Sequence, residues 1–419
     1  MRCVFATHLL RFAARSRPSS RRPVNILVLT EYWPTVSNPS NCNFVRYQAD
    51  ALKALGHSVT VVTGRRRRWL RRSDQPLPVN GIRVITPWVE IVPLLNRMRP
   101  TMRAACWMWS AHRGALAYTA ALGALDARNF DLVLAHGLAF VAPALRMATR
   151  RKVLTAPIVL TVHGECPIVA GLRPSGHAMR RFRRALQCAR SIAAVGSPLV
   201  GYMARFGVDR KTIHVIPNGH VQTQLSMSSG SSGRLRVLTV ANLHESKGVD
   251  TIVEGLVIVV KQATDISWEW VIVGDGPDRP RIGQMVDRAG LSQHVRFLGR
   301  LDHAATLQCY SSADVFCLPS RLEAFGMVFV EAMAAGVPPI GCLGTGAEDS
   351  IVHGTSGFLV PPDDPNAVAN ALQTLARDPS LRERLAEQGK VRARDFTWRN
   401  NAMRTVALAK QTDQSSRFA

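Results

Sequence analysis

Short aliphatic runs alternate with helical patterns along this chain, and the alternation occurs twice. Val24-Asn-Ile-Leu-Val-Leu-Thr30 is short enough for a buried strand, and a helical pattern follows over residues 45–55. Gly56 and His57 end that helix, and residues 58–63 read as the next strand. Strand, helix, strand at this spacing is a βαβ unit with parallel strands. Further strands are expected at 132–135, 158–162 and 191–195, apolar throughout, as in parallel strands covered on both faces. After a Ser/Gly-rich stretch at 226–233 the rhythm restarts: strand 235–240, helix 249–263, strand 268–273, then strands 295–298, 315–318 and 338–341. The last periodic segment, 381 to about 410, reads as helical and amphipathic. Two doubly wound α/β sheets follow, with the carboxyl ends of their strands around a shared cleft where ligands belong.

Length agrees, since 419 residues suffice for two domains. The divisions are a basic extension over 1–23, a first domain over 24–221, a linker over 222–234, a second domain over 235–395, and a helix and tail over 396–419 that cross back to the first domain. Residues 1–23 hold six Arg and no acid, which suits an extended start or an organellar transit sequence.

Charge is divided unevenly. Residues 1–210 carry 32 Lys and Arg against 8 Asp and Glu, whereas 211–419 carry 21 of each, so the whole +24 lies in the first half. Such a field attracts a membrane surface, a lipid-linked phosphate, an acidic polysaccharide or nucleic acid. The basic runs at 65–68, 71–72, 150–152 and 180–184 read equally as a solvated face; no nucleic-acid recognition motif accompanies them. Residues 88–109 mix Trp, aliphatic and Arg residues, a composition that suits either a surface against a bilayer or a core helix with solvated arginines. The apolar stretch 106–125 is interrupted by His112 and Arg113 and is too broken to cross a membrane. Eight scattered cysteines without a Cys-x-x-Cys pair indicate a reducing, cytoplasmic setting and no zinc site.

The chemistry concentrates in residues 319–336. A buried strand ends at Leu318, a polar loop carries Glu323, Gly326 permits close backbone approach, and Met327 opens a helix carrying Glu331. Free N–H groups and the positive dipole end of such a helix suit a phosphate. Glu331, one turn in, is placed to accept from a ribose diol, and Glu323 to reach a sugar beyond the diphosphate.

This segment resembles the Glu-x7-Glu motif of the retaining glycosyltransferases of family four, which have the GT-B fold of two Rossmann-like domains facing a central cleft. The resemblance runs from Val24 to about Lys410. Ile216-Pro-Asn-Gly219, Gly274-Asp-Gly-Pro277, Gly344-Thr-Gly-Ala-Glu348 and Gly357-Phe-Leu-Val-Pro-Pro-Asp-Asp364 fall in the family's order. The resemblance implies hexose transfer from a nucleoside diphosphate sugar to a hydroxyl acceptor, a surface polysaccharide or lipid-linked glycan, at the inner face of the cytoplasmic membrane. It implies His163 and Glu323 as sugar ligands and Lys247 as the cation on the leaving diphosphate. Gly326, Met327 and Glu331 fall in the donor site. The family's Arg in a Gly-Arg-Leu context is matched here by Ala241-Asn242-Leu243, so either Lys247 acts with helix N–H groups and another cation, or activity is reduced or altered. The first loop, glycine-rich in the family, is Asn38-Pro-Ser-Asn-Cys-Asn-Phe44 here; Asn43 is expected to adopt the left-handed backbone of the missing glycine, near an acceptor that Glu165 also contacts. The tandem Asp363-Asp364 matches a loop of the family, and no Asp-x-Asp stands at a strand end, so neither metal nor cofactor is expected.

Two other classes compete. A dinucleotide-dependent oxidoreductase would need a Gly-x-Gly-x-x-Gly after the first strand, which this chain lacks. A catalytically weak nucleotide-sugar-binding scaffold would keep the fold and is compatible with Asn242.

Overall fold

The structure is a computed structural model that describes residues 23–36, 43–66, 75–79, 81–89, 100–166, 176–221 and 233–415. The basic extension, the Ser/Gly-rich stretch up to residue 232, the arginines at 67, 68, 71 and 72, and most of the loop before Asn43 lie outside the described residues, as do residues 90–99.

The first sheet has seven parallel strands in the order β4-β2-β1-β6-β7-β8-β9. These are β1 (Asn25–Thr30), β2 (Ser58–Thr63), β4 (Arg83–Ile85), β6 (Leu132–His136), β7 (Ile158–Val162), β8 (Ser191–Ala194) and β9 (Ile213–Val215). A separate parallel pair joins β3 (Arg65–Arg66) to β5 (Trp88–Val89). Helix α1 (Asn43–Ala54) covers one face, and α2 (Pro100–Ala124), α3 (Val141–Arg150), α4 (His177–Leu186) and α5 (Pro198–Ala204) cover the other. Both faces of β1, β6 and β7 are therefore buried, which is why these strands are apolar without alternation.

The second sheet has six parallel strands in the order β12-β11-β10-β13-β14-β15. They are β10 (Leu235–Val240), β11 (Trp268–Val273), β12 (Val295–Gly299), β13 (Val315–Cys317), β14 (Pro339–Cys342) and β15 (Phe358–Val360). Helices α6 (Val249–Gln262), α7 (Arg279–Arg288), α8 (His303–Ser311), α9 (Met327–Ala334), α10 (Ala347–Ser350) and α11 (Pro365–Arg377) connect them. In each sheet the chain order reverses once beside the first strand, between β1 and β6 and between β10 and β13, and loops after adjacent strands diverge there to leave a crevice.

The segment expected to be helical from residue 381 onward is built of two helices, α12 (Pro379–Ala393) and α13 (Trp398–Ser415). Asp378 caps α12 by accepting from Leu381 N at 2.8 Å, with Pro379 in its first turn, and Thr397 Oγ1 accepts from Asn400 N at 3.1 Å at the start of α13. Between them His220 N donates to Phe396 O at 2.9 Å, turning the chain back onto the first domain, where α13 packs on α1. Asn401 holds that junction: its Nδ2 donates to Pro217 O at 2.7 Å, and its Oδ1 accepts from Gln48 Nε2 at 2.6 Å, all buried. Six described cysteines are free thiols. No helix among the described residues is long and apolar enough to cross a membrane.

Asn401→Ala strands a buried donor and a buried acceptor together. It should lower unfolding free energy by about 2 kcal/mol, read as a lower denaturation midpoint with unchanged slope. A loss below about 0.5 kcal/mol would mean that Asn401 does not hold the helix to the first domain.

Candidate active site

The second sheet's crevice is built by backbone packing before any side chain enters. Chain leaving β10 runs through Asn242 to a 3-10 turn at Glu245–Lys247 and then Gly248. Gly248 takes φ +63°, and a Cβ there would overlap the carbonyl oxygen of Pro319, so a glycine is needed on both counts. The same approach lets Ser246 O accept from Arg321 N at 2.8 Å and Leu322 N at 3.2 Å. Loops after β10 and β13 are thereby clamped together, and Lys247 Nζ meets Glu323 Oε2 at 2.7 Å, both largely buried. Sequence spacing placed these residues 76 positions apart; the switch between β10 and β13 makes them a pair.

Gly326 follows with φ +78° and opens α9, whose first residue is Met327. Glu331 sits a turn further on, where Tyr310 Oη donates to its Oε2 at 3.2 Å. Burial pushes the Glu331 carboxyl up to about 7, with the Tyr310 hydrogen bond opposing. On the other side of the cleft, burial raises the Tyr47 phenol of α1, and the charges of Asp50 and Glu331 add to it. Glu348, in the Gly-rich loop after β14, accepts from Gly344 N at 2.8 Å, and Gly346 N donates to Glu323 O at 2.9 Å. Three loops at the carboxyl ends of β10, β13 and β14 thus converge around Glu323.

Asn242 is exposed, and its side chain has no hydrogen-bond partner among the described residues. Arg321 is occupied elsewhere, donating to Asp250 Oδ1 at 2.9 Å and Glu245 O at 2.6 Å and pairing with Asp363. Asp364 caps α11 through Ala367 N at 2.9 Å, so the tandem aspartates are structural. Among the described residues no group of three or more His, Cys, Asp or Glu is arranged to hold a metal ion.

In the first domain His163, just past β7, does not stand alone. Its Nε2 lies 3.0 Å from Nδ1 of His136 at the end of β6, and the rings stack with centroids 5.3 Å apart. Phe44 packs on His163 at 4.1 Å between centroids, and Tyr32 edges it at 6.0 Å. Burial lowers the pKa of both imidazoles, to about 3 for His136, and keeps the pair neutral. One facing nitrogen donates to the other, while His163 Nδ1 and His136 Nε2 are buried without partners among the described residues. His136 was legible: His136-Gly137 follows its strand as His163-Gly164 follows the next. Glu31 was not; past β1 it accepts from Ala139 N at 3.3 Å and Phe140 N at 3.0 Å at the start of α3.

Asn43 differs from expectation. It is the first residue of α1 and does not have a positive φ, because the chain enters the helix here and needs no left-handed turn. Its Oδ1 is buried without a partner. Glu165 is exposed beside Cys166, whose N–H donates to the Tyr202 hydroxyl at 3.0 Å.

Raising Glu331 to about 7 has a signed consequence. Between 4.5 and about 7 the folded protein holds a proton that the unfolded chain releases, so stability falls as pH rises through that window. Glu331→Gln should remove this loss, on the order of 3 kcal/mol between pH 4.5 and 8. The neutral histidine pair acts oppositely, weakening the fold as pH falls below 6.5, but equally in both proteins. Denaturant titrations at several pH values isolate Glu331 by difference; parallel pH profiles would show that its carboxyl is not shifted.

Comparison with known proteins agrees with this geometry. Residues 43–219 match the family model for a glycosyl transferase 4-like domain, and residues 223–392 match that for glycosyl transferases group 1. The N-acetyl-alpha-D-glucosaminyl L-malate synthase of Bacillus anthracis is 28% identical over 275 residues, covering 64% of this chain and 69% of that protein. Among solved structures, the sucrose-phosphate synthase of Thermosynechococcus elongatus superposes with TM-score 0.69 at 22% identity over 93% of this chain and 100% of that one. Anabaena HepE in complex with UDP-glucose gives 0.60 at 19% identity, over 94% and 100%. The two matched models together span most of the chain, and their domains coincide with the two parallel sheets on either side of the cleft. The chain belongs to the group 1 glycosyltransferases and has the GT-B fold.

Proposed function

We propose that this glycosyltransferase moves a hexose from a nucleoside diphosphate sugar to a hydroxyl acceptor with retention of configuration. The observation that carries the reading is the Lys247–Glu323 pair at the switch point of the second sheet, beside the start of α9 and Glu331. Lys247 and the N–H groups at Gly326 and Met327 take the leaving diphosphate, where charge develops as the glycosidic bond breaks. Glu331 accepts from the ribose diol. Glu323 and the free Nδ1 of His163 orient the sugar hydroxyls, with His136 fixing the ring. The acceptor oxygen bonds to the anomeric carbon on the face the diphosphate leaves, and its proton passes to the departing phosphate oxygen. No covalent nucleophile, metal or cofactor is invoked. Asn43 and Glu165 lie on the acceptor side.

The acceptor class that best suits a basic first domain is a surface polysaccharide or lipid-linked glycan at the inner face of the cytoplasmic membrane, with the protein cytoplasmic or peripheral there. A second reading, a binding subunit with little turnover, is favoured by one observation. Asn242 supplies no charge where the resembled family has an Arg, and Lys247 is already engaged with Glu323.

Thermal-shift titration with uridine, guanosine and adenosine diphosphate sugars should reveal one stabilising donor, and turnover of that donor should persist in EDTA. Lys247→Ala should slow transfer on the order of 100-fold. His163→Ala should reduce transfer more than nucleotide binding. No shift with any nucleotide sugar would overturn the proposal. Binding without turnover, rescued by Asn242→Arg, would establish the second reading.

A further inference from the structure

Helices α2, α3 and α4 lie side by side on the first sheet and enclose a narrow cleft of about 50 Å³. Trp107, Ala111, Met147 and Ala185 form its apolar walls, and Arg146, Arg181 and His112 line it as well. Arg150 and Arg184 do not line it but stand close enough to Arg146 for their charges to be felt. Burial, then Arg150, Arg184 and Arg181, lower the Arg146 pKa. Among the described residues none of these four guanidinium groups has an ion-pair or hydrogen-bond partner. Like charges are therefore gathered at the surface with no acidic side chain paired to them among the described residues, a condition that an anion relieves.

The neighbouring surface identifies which anion. At about 100° per residue, Trp107, Ala111 and His112 of α2 line the cleft, while Met102 and Trp109 lie about 60–80° beyond His112, on the exposed face of the same helix. Met102 is 57% exposed and Trp109 50% exposed, two large apolar side chains in water on the helix that also lines the basic cleft. A polyanion such as nucleic acid gains nothing from Met102 and offers no apolar phase for Trp109. A bilayer with anionic headgroups satisfies both, the phosphates on the guanidinium groups and the aromatic ring at the interface. The cleft interior admits only a few atoms, so the headgroup sits at its mouth.

We infer that the α2–α3–α4 face, through Arg146, Arg150, Arg181 and Arg184 with Trp109 and Met102, is a docking site for anionic phospholipid at a membrane surface. The inference deepens the proposed membrane-facing role and uses no residue of the sugar-transfer cleft. It places a lipid-linked acceptor within reach of the protein by concentrating the enzyme at the bilayer.

The test is co-sedimentation of the full chain with vesicles of phosphatidylcholine alone or with about 30% phosphatidylglycerol, at low and high salt. Binding is expected only to the anionic vesicles and should weaken with salt. Arg146→Glu with Arg181→Glu should lower vesicle affinity at least about tenfold, and Trp109→Ala a few-fold, with nucleotide-sugar thermal shifts unchanged. Arg210→Glu with Lys211→Glu, an equal charge change elsewhere on the same domain, should leave binding close to wild type. The milder Arg150→Gln with Arg184→Gln relieves repulsion, should fold normally, and should still weaken binding.

Equal losses in the Arg146/Arg181 and Arg210/Lys211 variants would overturn the site in favour of net charge alone. Complete displacement from vesicles by millimolar inorganic phosphate at constant ionic strength, or an oligonucleotide bound more tightly than the vesicles, would also overturn it. Loss of the nucleotide-sugar shift in wild type with vesicle binding intact would instead strike the transfer reading and leave this one standing.

Discussion

The carbonyl group of Ala324 is the point on which the cleft turns. A Cβ on Gly346 of the second domain would overlap it, and so would a Cβ on Gly196 of the first, so both backbones approach it as only glycine permits. Ser197, next to Gly196, donates from its N–H to Asp349 Oδ2 at 2.6 Å. The loop carrying Glu323 is therefore pressed between the Gly-rich loop of its own domain and the strand end of the other. Apolar packing continues the contact, since Phe325, Val330 and Met333 share one buried cluster with α2, α3 and α4. Side chains on this loop are held by backbone fit, a more rigid support than their own rotamers supply.

That rigidity bears on the electrostatics of the two walls. One wall has a neutral histidine pair, kept so by burial, and the other a carboxyl whose proton is retained almost to neutrality. Lys247 and Glu323 between them form a matched ion pair. The unliganded cleft thus holds few uncompensated charges. A diphosphate arriving there competes with Glu323 for Lys247 and brings hydroxyl donors to Glu331. The unneutralised charge of the protein lies instead on the first domain, away from this balance.

Much of the site was legible in local patterns. Glu331 and Gly326 could be placed because a buried strand, a polar loop, a glycine and a helix occupy consecutive residues. Asp364-Pro365 and Asp378-Pro379 announce helix starts, whereas no Pro or Gly marks the break at residues 394–397. Asn43 was misjudged for a different reason: the expectation supplied a turn where the chain already begins its helix. Glu31 and Tyr310 act through partners 21 to 109 residues away in sequence, and no local signal announces such partners.

By itself the sequence determined the two parallel sheets and their longer strands, though not the short β4, β9 and β15, because apolar periodicity and glycine placement are local properties with local physical causes. Tertiary structure alone decided the pairings: Lys247 with Glu323, His136 with His163, α13 with the first domain, and four arginines on one helical face. Those depend on which strand ends diverge at a switch point and which helices share a sheet face, and both follow only from the order in which strands assemble.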